Sequence, residues 1–118
     1  FITCTATWYA RPGDRWADRY PAEWYQGWPY RVGEYPAQCA YDRLPLGSVV
    51  RVTVLATGAC LPFRVTDRVT ADGSSDRIDL TYRGFNALGL SPAQGIAVVA
   101  VDTIQRYAEN ADTVKGGE

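Results

Sequence analysis

Apolar and polar side chains alternate from the start of the chain, with Cys4, Ala6 and Trp8 set against Thr5, Thr7 and Tyr9. A period of two predicts a half-buried strand over Thr3 to Tyr9 with its two sets on opposite faces. The period returns in S-V-V-R-V-T-V-L (48–55), which puts Val50, Val52 and Val54 on one face. A-T-G-A (56–59) is a hairpin turn, and L-P-F-R-V-T (61–66) runs back with Phe63 and Val65 inward. Ile78 to Leu80 forms a short strand, after which Thr81 caps a helix through Leu88 that Gly89 stops. S-P-A-Q (91–94) is a small capping-box turn with Pro at the first helical position. The apolar run G-I-A-V-V-A-V-D closes with a buried strand, and the polar tail N-A-D-T-V-K-G-G-E is expected to fray.

Between the first strand and these elements lies an aperiodic stretch, residues 11–36, with four Pro and three Gly. Loops this long in a small domain usually serve function. Several short strands with one or two short helices in about a hundred residues predict a small all-β barrel. The expected boundaries are a barrel over 1–104, with its loop at 11–38, and a tail at 105–118.

Composition narrows the partners. The 118 residues are 47% hydrophobic and 21% charged, as in a folded globular domain, with room for one core. A net charge of -1 makes no electrostatic case for nucleic acid, and no apolar run is long enough to span a bilayer. The chain has no Met and begins F-I-T-C-T, which reads as a mature or excised piece whose upstream segment is missing. A monomer is expected.

His is absent, which removes Ser-His-Asp and Cys-His machinery as well as His-ligated metals. Three cysteines are too few for a thiolate-only zinc site, and no metal or other cofactor is expected. One disulfide plus one free thiol is the simplest reading, against a set of buried thiols. Cys39 and Cys60 are the preferred pair because they flank the segment from Leu44 to Leu55, although spacing does not fix connectivity. Acid-base chemistry falls to Asp, Glu, Tyr or Lys.

The richest acidic segment is V-T-D-R-V-T-A-D-G-S-S-D-R-I-D-L-T (65–81), with four of the nine aspartates. A calcium loop fails at the spacing, because Thr70 and Arg68 stand where ligands would be needed before Gly73. Asp72 and Asp76 lie among Gly and Ser and read as turn residues. Asp67 and Asp79 flank that turn on strands, where a carboxylate can be held partly out of water and used as an acid. The competing expectation is simple pairing with Arg64, Arg68 or Arg77. Ten aromatic side chains lie between Trp8 and Tyr41, among them Tyr9, Trp16, Trp24 and Trp28. Aromatic faces rimmed by Asp, Glu and Arg suit pyranose rings, and some of these rings also serve as a satellite core under the loop.

Taken in order, these pieces resemble the double-psi β-barrel domains of the rare lipoprotein A type, relatives of expansins and barwin-like proteins. A-T-W-Y (6–9) is similar to the family's A-S/T-W-Y, and V-G-E (32–34) to its N-G-E. C-A-Y-D-R-L-P-L-G-S-V-V-R-V-T (39–53) resembles A-A-H-x-T-L-P-x-G-T-x-x-R-V-T. F-R-V-T-D-R (63–68) resembles V-R-V-N-D-R, and R-I-D-L-T through A-L-G (77–89) resembles R-x-I-D-L-S through A-L-G. The resemblance covers most of residues 4–102 and implies a six-stranded double-psi β-barrel acting on wall polysaccharide. It places the family's catalytic Asp on Asp67 and its Glu on Glu34. Its His falls on Tyr41, a departure, since the Tyr hydroxyl has a reference pKa near 10. Expansins point to Thr7, Asp67 and Asp79, and the three-aspartate domains to Asp42, Asp67 and Asp79.

The resulting expectation is a secreted, periplasmic or wall-associated protein that cleaves peptidoglycan strands as a lytic transglycosylase. Asp67 is the acid/base, with Asp79, Glu34 and Tyr41 in support. Lytic cleavage needs a proton at the leaving oxygen, and attack by the sugar's own 6-hydroxyl spares water activation. Thr7, Trp8, Tyr9, Asp42, Arg68, Trp16, Trp24 and Trp28 are the substrate-binding candidates. The alternative is an expansin-like glycan-binding or wall-loosening module with the same face and no turnover, which the missing His favours. An inhibitor or interaction domain on a barwin-like scaffold is the third class.

Overall fold

The computed structural model describes residues 1–9, 24–25, 28–29 and 37–107, with 24–25 and 28–29 as backbone only. The strands are β1 (Ile2–Tyr9), β2 (Trp24–Tyr25), β3 (Trp28–Pro29), β4 (Ala37–Tyr41), β5 (Val49–Val54), β6 (Cys60–Asp67), β7 (Ile78–Thr81) and β8 (Ala97–Gln105). Helix α1 (Tyr82–Ala87) and a 3-10 turn (Pro92–Gln94) fall between β7 and β8. Six strands close a barrel in the order β1-β7-β4-β6-β5-β8, and β2 pairs antiparallel with β3 outside it.

The pairing is mixed. β1 runs parallel to β7 and β4 parallel to β6, while the other four barrel contacts are antiparallel. A tight hairpin cannot make a parallel pair. Accordingly, of the consecutive barrel strands only β5 and β6 are neighbours, and the other connections cross the barrel.

The predicted inward faces hold. Ala6, Val50, Val52, Phe63, Val65, Ile78 and Leu80 are all fully buried, and Val54 is 2% exposed. Each such Val, Leu, Ile or Phe contributes roughly 1.5–3 kcal/mol of transfer free energy. Thr81 caps α1 by accepting from the Gly84 amide. At the other end Gly89, at φ +80°, sends its amide to Asn86 O while Leu90 N reaches Phe85 O. That is a left-handed helix stop with a buried apolar residue just beyond it. Gly47, at φ +93°, turns the chain so that its amide reaches Val65 O at 2.7 Å.

Strand β4 is the main departure from the sequence reading, which placed residues through 38 in a loop. All five of its residues are buried, so it lacks the alternation that marks a half-exposed strand. Among the described residues no helix is long and apolar enough to cross a membrane.

The expected Cys39–Cys60 bridge is not formed, and all three cysteines are free thiols. Cys39 pairs across the parallel ladder with Val65, five residues further along β6 than Cys60. At ~3.3 Å per residue the two are separated by roughly 16 Å, whereas a disulfide needs Cα atoms within about 7 Å. Nor are the thiols uniformly buried: Cys39 is buried, Cys4 half-buried and Cys60 exposed. Burial, then the nearby Asp79 charge and Cys4, pushes the Cys39 thiol far above its ordinary range.

Helix α1 touches the barrel at Gly84, where a Cβ would fall 2.9 Å from Cζ of Phe63 and closer still to Cε2. Alanine is intrinsically the better helix former by about 1 kcal/mol. The Phe63 ring is fully buried, however, and has little room to move. Gly84→Ala is expected to destabilise the domain by about 1–3 kcal/mol in urea denaturation. An unchanged or raised midpoint would show that the ring can yield.

Candidate functional site

One row of the barrel sets the site. Ala40 on β4 pairs with Asp67 on β6 and with Asp79 on β7, and Asp79 pairs with Thr7 on β1. Four adjacent strands thus present Asp67, Ala40, Asp79 and Thr7 in line. The Asp67 and Asp79 Cα atoms stand two strand spacings apart, roughly 9–10 Å, with only the Ala40 methyl between them. Tyr9 follows on the Thr7 face of β1, by the alternation that buries Ala6.

Asp67 joins this row through an irregularity. Cys39 pairs with Val65, but Ala40 pairs with Asp67, so β6 carries Thr66 as an extra residue. Such bulges re-aim a side chain and concentrate near binding sites.

A groove of about 250 Å³ opens over the row, lined by Tyr9, Ala40, Asp67, Arg68, Val69 and Asp79. Asp79 is heavily engaged. Thr7 Oγ1 donates to its Oδ1, and Arg77 grips it in bidentate fashion, Nε to Oδ1 at 2.8 Å and Nη2 to Oδ2 at 3.2 Å. Hydrogen bonding to Asp79, then its charge, raises the Arg77 guanidinium above its ordinary pKa. The expectation of Arg pairing is therefore met at Asp79, which still lines the groove. Asp67 Oδ1 accepts from the Arg68 amide at 2.8 Å.

Two charged candidates turn out to brace the backbone. Arg68 Nη1 donates to the carbonyls of Tyr41 at 2.8 Å and Leu44 at 2.5 Å. Asp42 lies in the opposite clasp, accepting from Val69 N at 2.7 Å, Thr70 Oγ1 at 2.8 Å, Ser75 N at 2.9 Å and Thr70 N at 3.3 Å. It is absent from the groove lining, and these bonds give it a structural role. Burial alone would raise Asp42, but the bonds from Ser75, Thr70 and Val69 outweigh it and hold the carboxyl below its usual range. Asp72 accepts from Thr70 and Ser74 within its own turn, and Asp76 pairs with Arg43.

Two aromatic candidates face elsewhere. Tyr41 is 1% exposed, on the core face of β4, and borders a separate cavity with Arg43 and Leu44. Burial, then Cys4, raises its hydroxyl pKa despite the opposing charge of Arg43. The groove receives Ala40 instead, because neighbours on a strand point to opposite faces. Trp8 packs against the core, with its indole N–H on Pro92 O at 3.0 Å and its ring edge-on to Tyr82. It anchors the α1 end of the barrel and is absent from the groove lining. Trp16 and Glu34 lie outside the described residues, as do the side chains of Trp24 and Trp28.

The sequence reading missed Ala40 and Val69, and it named Arg77 only as one of three possible partners for the carboxylates. A signal existed for Arg77, since residues i and i+2 of a strand share a face and Arg77 precedes Asp79 by two. Ala40 was hidden with its strand.

The closed mixed barrel is a double-psi β-barrel, the fold of cerato-platanins and expansins. The crystal structure of cerato-platanin 3 from M. perniciosa is similar, with a TM-score of 0.62 at 14% identity over 88% of this chain and 95% of that one. An Asp-to-Asn mutant of Clavibacter michiganensis expansin, in complex with cellohexaose, gives 0.60 at 19% identity over 91% of this chain and 52% of that one. The apo form of that expansin gives 0.60 at 21% identity, covering 90% and 51%. The chain thus spans about half the length of the expansin chains. No family model and no curated protein matches it.

The Asp42 clasp has a pH signature. A carboxyl whose folded pKa is depressed contributes stability that is complete above its unfolded value, about 3.9, and is lost as pH falls through the folded value. Asp42→Asn should therefore cost stability at pH 7, and the gap to wild type should narrow below about pH 4. A gap that stays constant across denaturation curves from pH 7 to pH 2.5 would remove the clasp from the account.

Proposed function

We propose that the chain is a binding module for a β-linked wall polysaccharide, seated in the groove across Asp67, Ala40 and Asp79. The observation that carries this reading is the row itself. Two acceptor carboxylates flank a shallow methyl floor beside an aromatic residue, which suits the hydroxyl rim and C–H face of a pyranose. The expansin similar in fold, bound to cellohexaose, supports the same class of ligand. An exported, wall-associated setting goes with this proposal.

The geometry favours binding over lytic cleavage. The residue at the family's His position, Tyr41, is in the core, and Asp79 is occupied by Arg77 and Thr7. Asp67 also lines the groove, so the test must look for turnover as well as retention.

Binding isotherms on microcrystalline cellulose and on amidase-stripped peptidoglycan strands, followed by mass spectrometry of the glycan, separate the readings. Retention on at least one glycan with no new chain ends is expected. Asp67→Asn and Asp79→Asn should each weaken it, since a hydrogen bond to a charged group contributes about 1.5–3 kcal/mol, or roughly tenfold to hundredfold in Kd. Anhydro-ended products that vanish in Asp67→Asn would replace the binding reading with lytic cleavage. Failure to adhere to any insoluble glycan would sink both.

A further inference from the structure

Asp67 reaches the groove because β6 holds one residue more than β4 opposite Ala40. In an unbroken ladder Thr66 would face Ala40, and Asp67 would turn toward the apolar interior with Val65. Burying a carboxylate there is strongly unfavourable, which excludes the unbulged register but does not select this one. Bulges are rare in parallel ladders such as β4 with β6. Something specific has to hold the extra residue.

The extra residue is held by a side chain. Thr66 Oγ1 donates to Gln38 Oε1 at 3.2 Å, and both residues are 2% exposed. Gln38 lies on β4, two positions before Ala40 and therefore on its face. Its side chain ties the extra residue of β6 to β4. The arrangement is costly, because Gln38 Nε2 is fully buried and finds no acceptor among the described residues. A pair selected for stability alone would be apolar, since replacing both buried partners with groups of similar shape is neutral or favourable. Local rules broken beside a binding groove usually serve the groove.

We infer that Gln38 and Thr66 are positioning residues that fix the bulge and aim Asp67 into the groove. The inference rests on the polysaccharide-binding reading only for its second readout.

The first readout needs no ligand. The Arg68 amide donates to Asp67 Oδ1, so its NMR resonance and hydrogen-exchange protection report where that carboxylate points. In the double variant Gln38→Met/Thr66→Val, thermal stability should be unchanged or higher. The Arg68 amide should nonetheless shift toward its position in Asp67→Asn and lose protection on the order of tenfold. Thr66→Val alone should move the same resonance, and Thr66→Ser, which keeps the hydroxyl, should leave it in place. On a retained glycan the double variant should bind about as weakly as Asp67→Asn, roughly tenfold down, and adding it to Asp67→Asn should cost nothing further.

An Arg68 amide unmoved in the folded double variant, or in Thr66→Val should the double variant not fold, overturns the inference. So does full glycan affinity in either. Absence of glycan retention by the wild type counts against the binding reading alone, because the amide measurement still decides the positioning role.

Discussion

Strand β4 has a parallel neighbour on one side and an antiparallel neighbour on the other, and its register against both determines the rest of the molecule. Shifting it by one residue would exchange its faces, sending Cys39 and Tyr41 outward and Gln38 and Ala40 into the core. The burial of Cys39 and Tyr41 against Val65, Ile78 and Leu80 holds that register on the inner side. On the outer side the same register brings Asp67, Ala40 and Asp79 into line. Core and groove are thus two faces of a single alignment, and a buried apolar row sets the spacing of two carboxylates it never touches.

That coupling explains what could be read from the chain and what could not. β1, β5 and β6 as far as Val65 carry an alternating inward set, because one side of each meets the core and the other is wetter, so those inward residues were legible. Thr81 and Gly89 marked the ends of α1 by local chemistry that needs no tertiary context. β4 is buried on both faces, which erases the period of two, and with it went Ala40 and the floor of the groove. Asp67 and Asp79 could be singled out by their strand positions and by family resemblance. That Asp42 and Arg68 bind backbone was not legible, because a charged residue that does so looks the same in sequence as one that binds ligand alone. The cysteine pairing failed for a related reason. Proximity to one segment says nothing of the parallel offset that carries Cys60 far from Cys39.

The charges around the groove divide by what they hold. Arg68 sends its guanidinium from the end of β6 to carbonyls at and just beyond the end of β4, and Asp42 returns the exchange from beyond β4 to amides after β6. These reciprocal clasps join the two chain segments that leave the barrel beside the groove, and so fix Val69 in its wall. Asp72 and Asp76 are taken up by the turn and by Arg43.

What remains toward the groove is chiefly acceptor. Among the described residues Asp67 and Asp79 present carboxylate oxygens, Ala40 presents nothing polar, and the cation in the lining, Arg68, has its Nη1 on two backbone carbonyls. On the proposed binding reading, hydroxyls along a sugar chain supply the donors that such acceptors need. The engagement of Asp79 by Arg77 and Thr7 makes it a fixed acceptor whose orientation costs little further ordering on binding. On the proposed reading, preorganisation of this kind favours holding a polymer in register over driving a proton between two opposed acids.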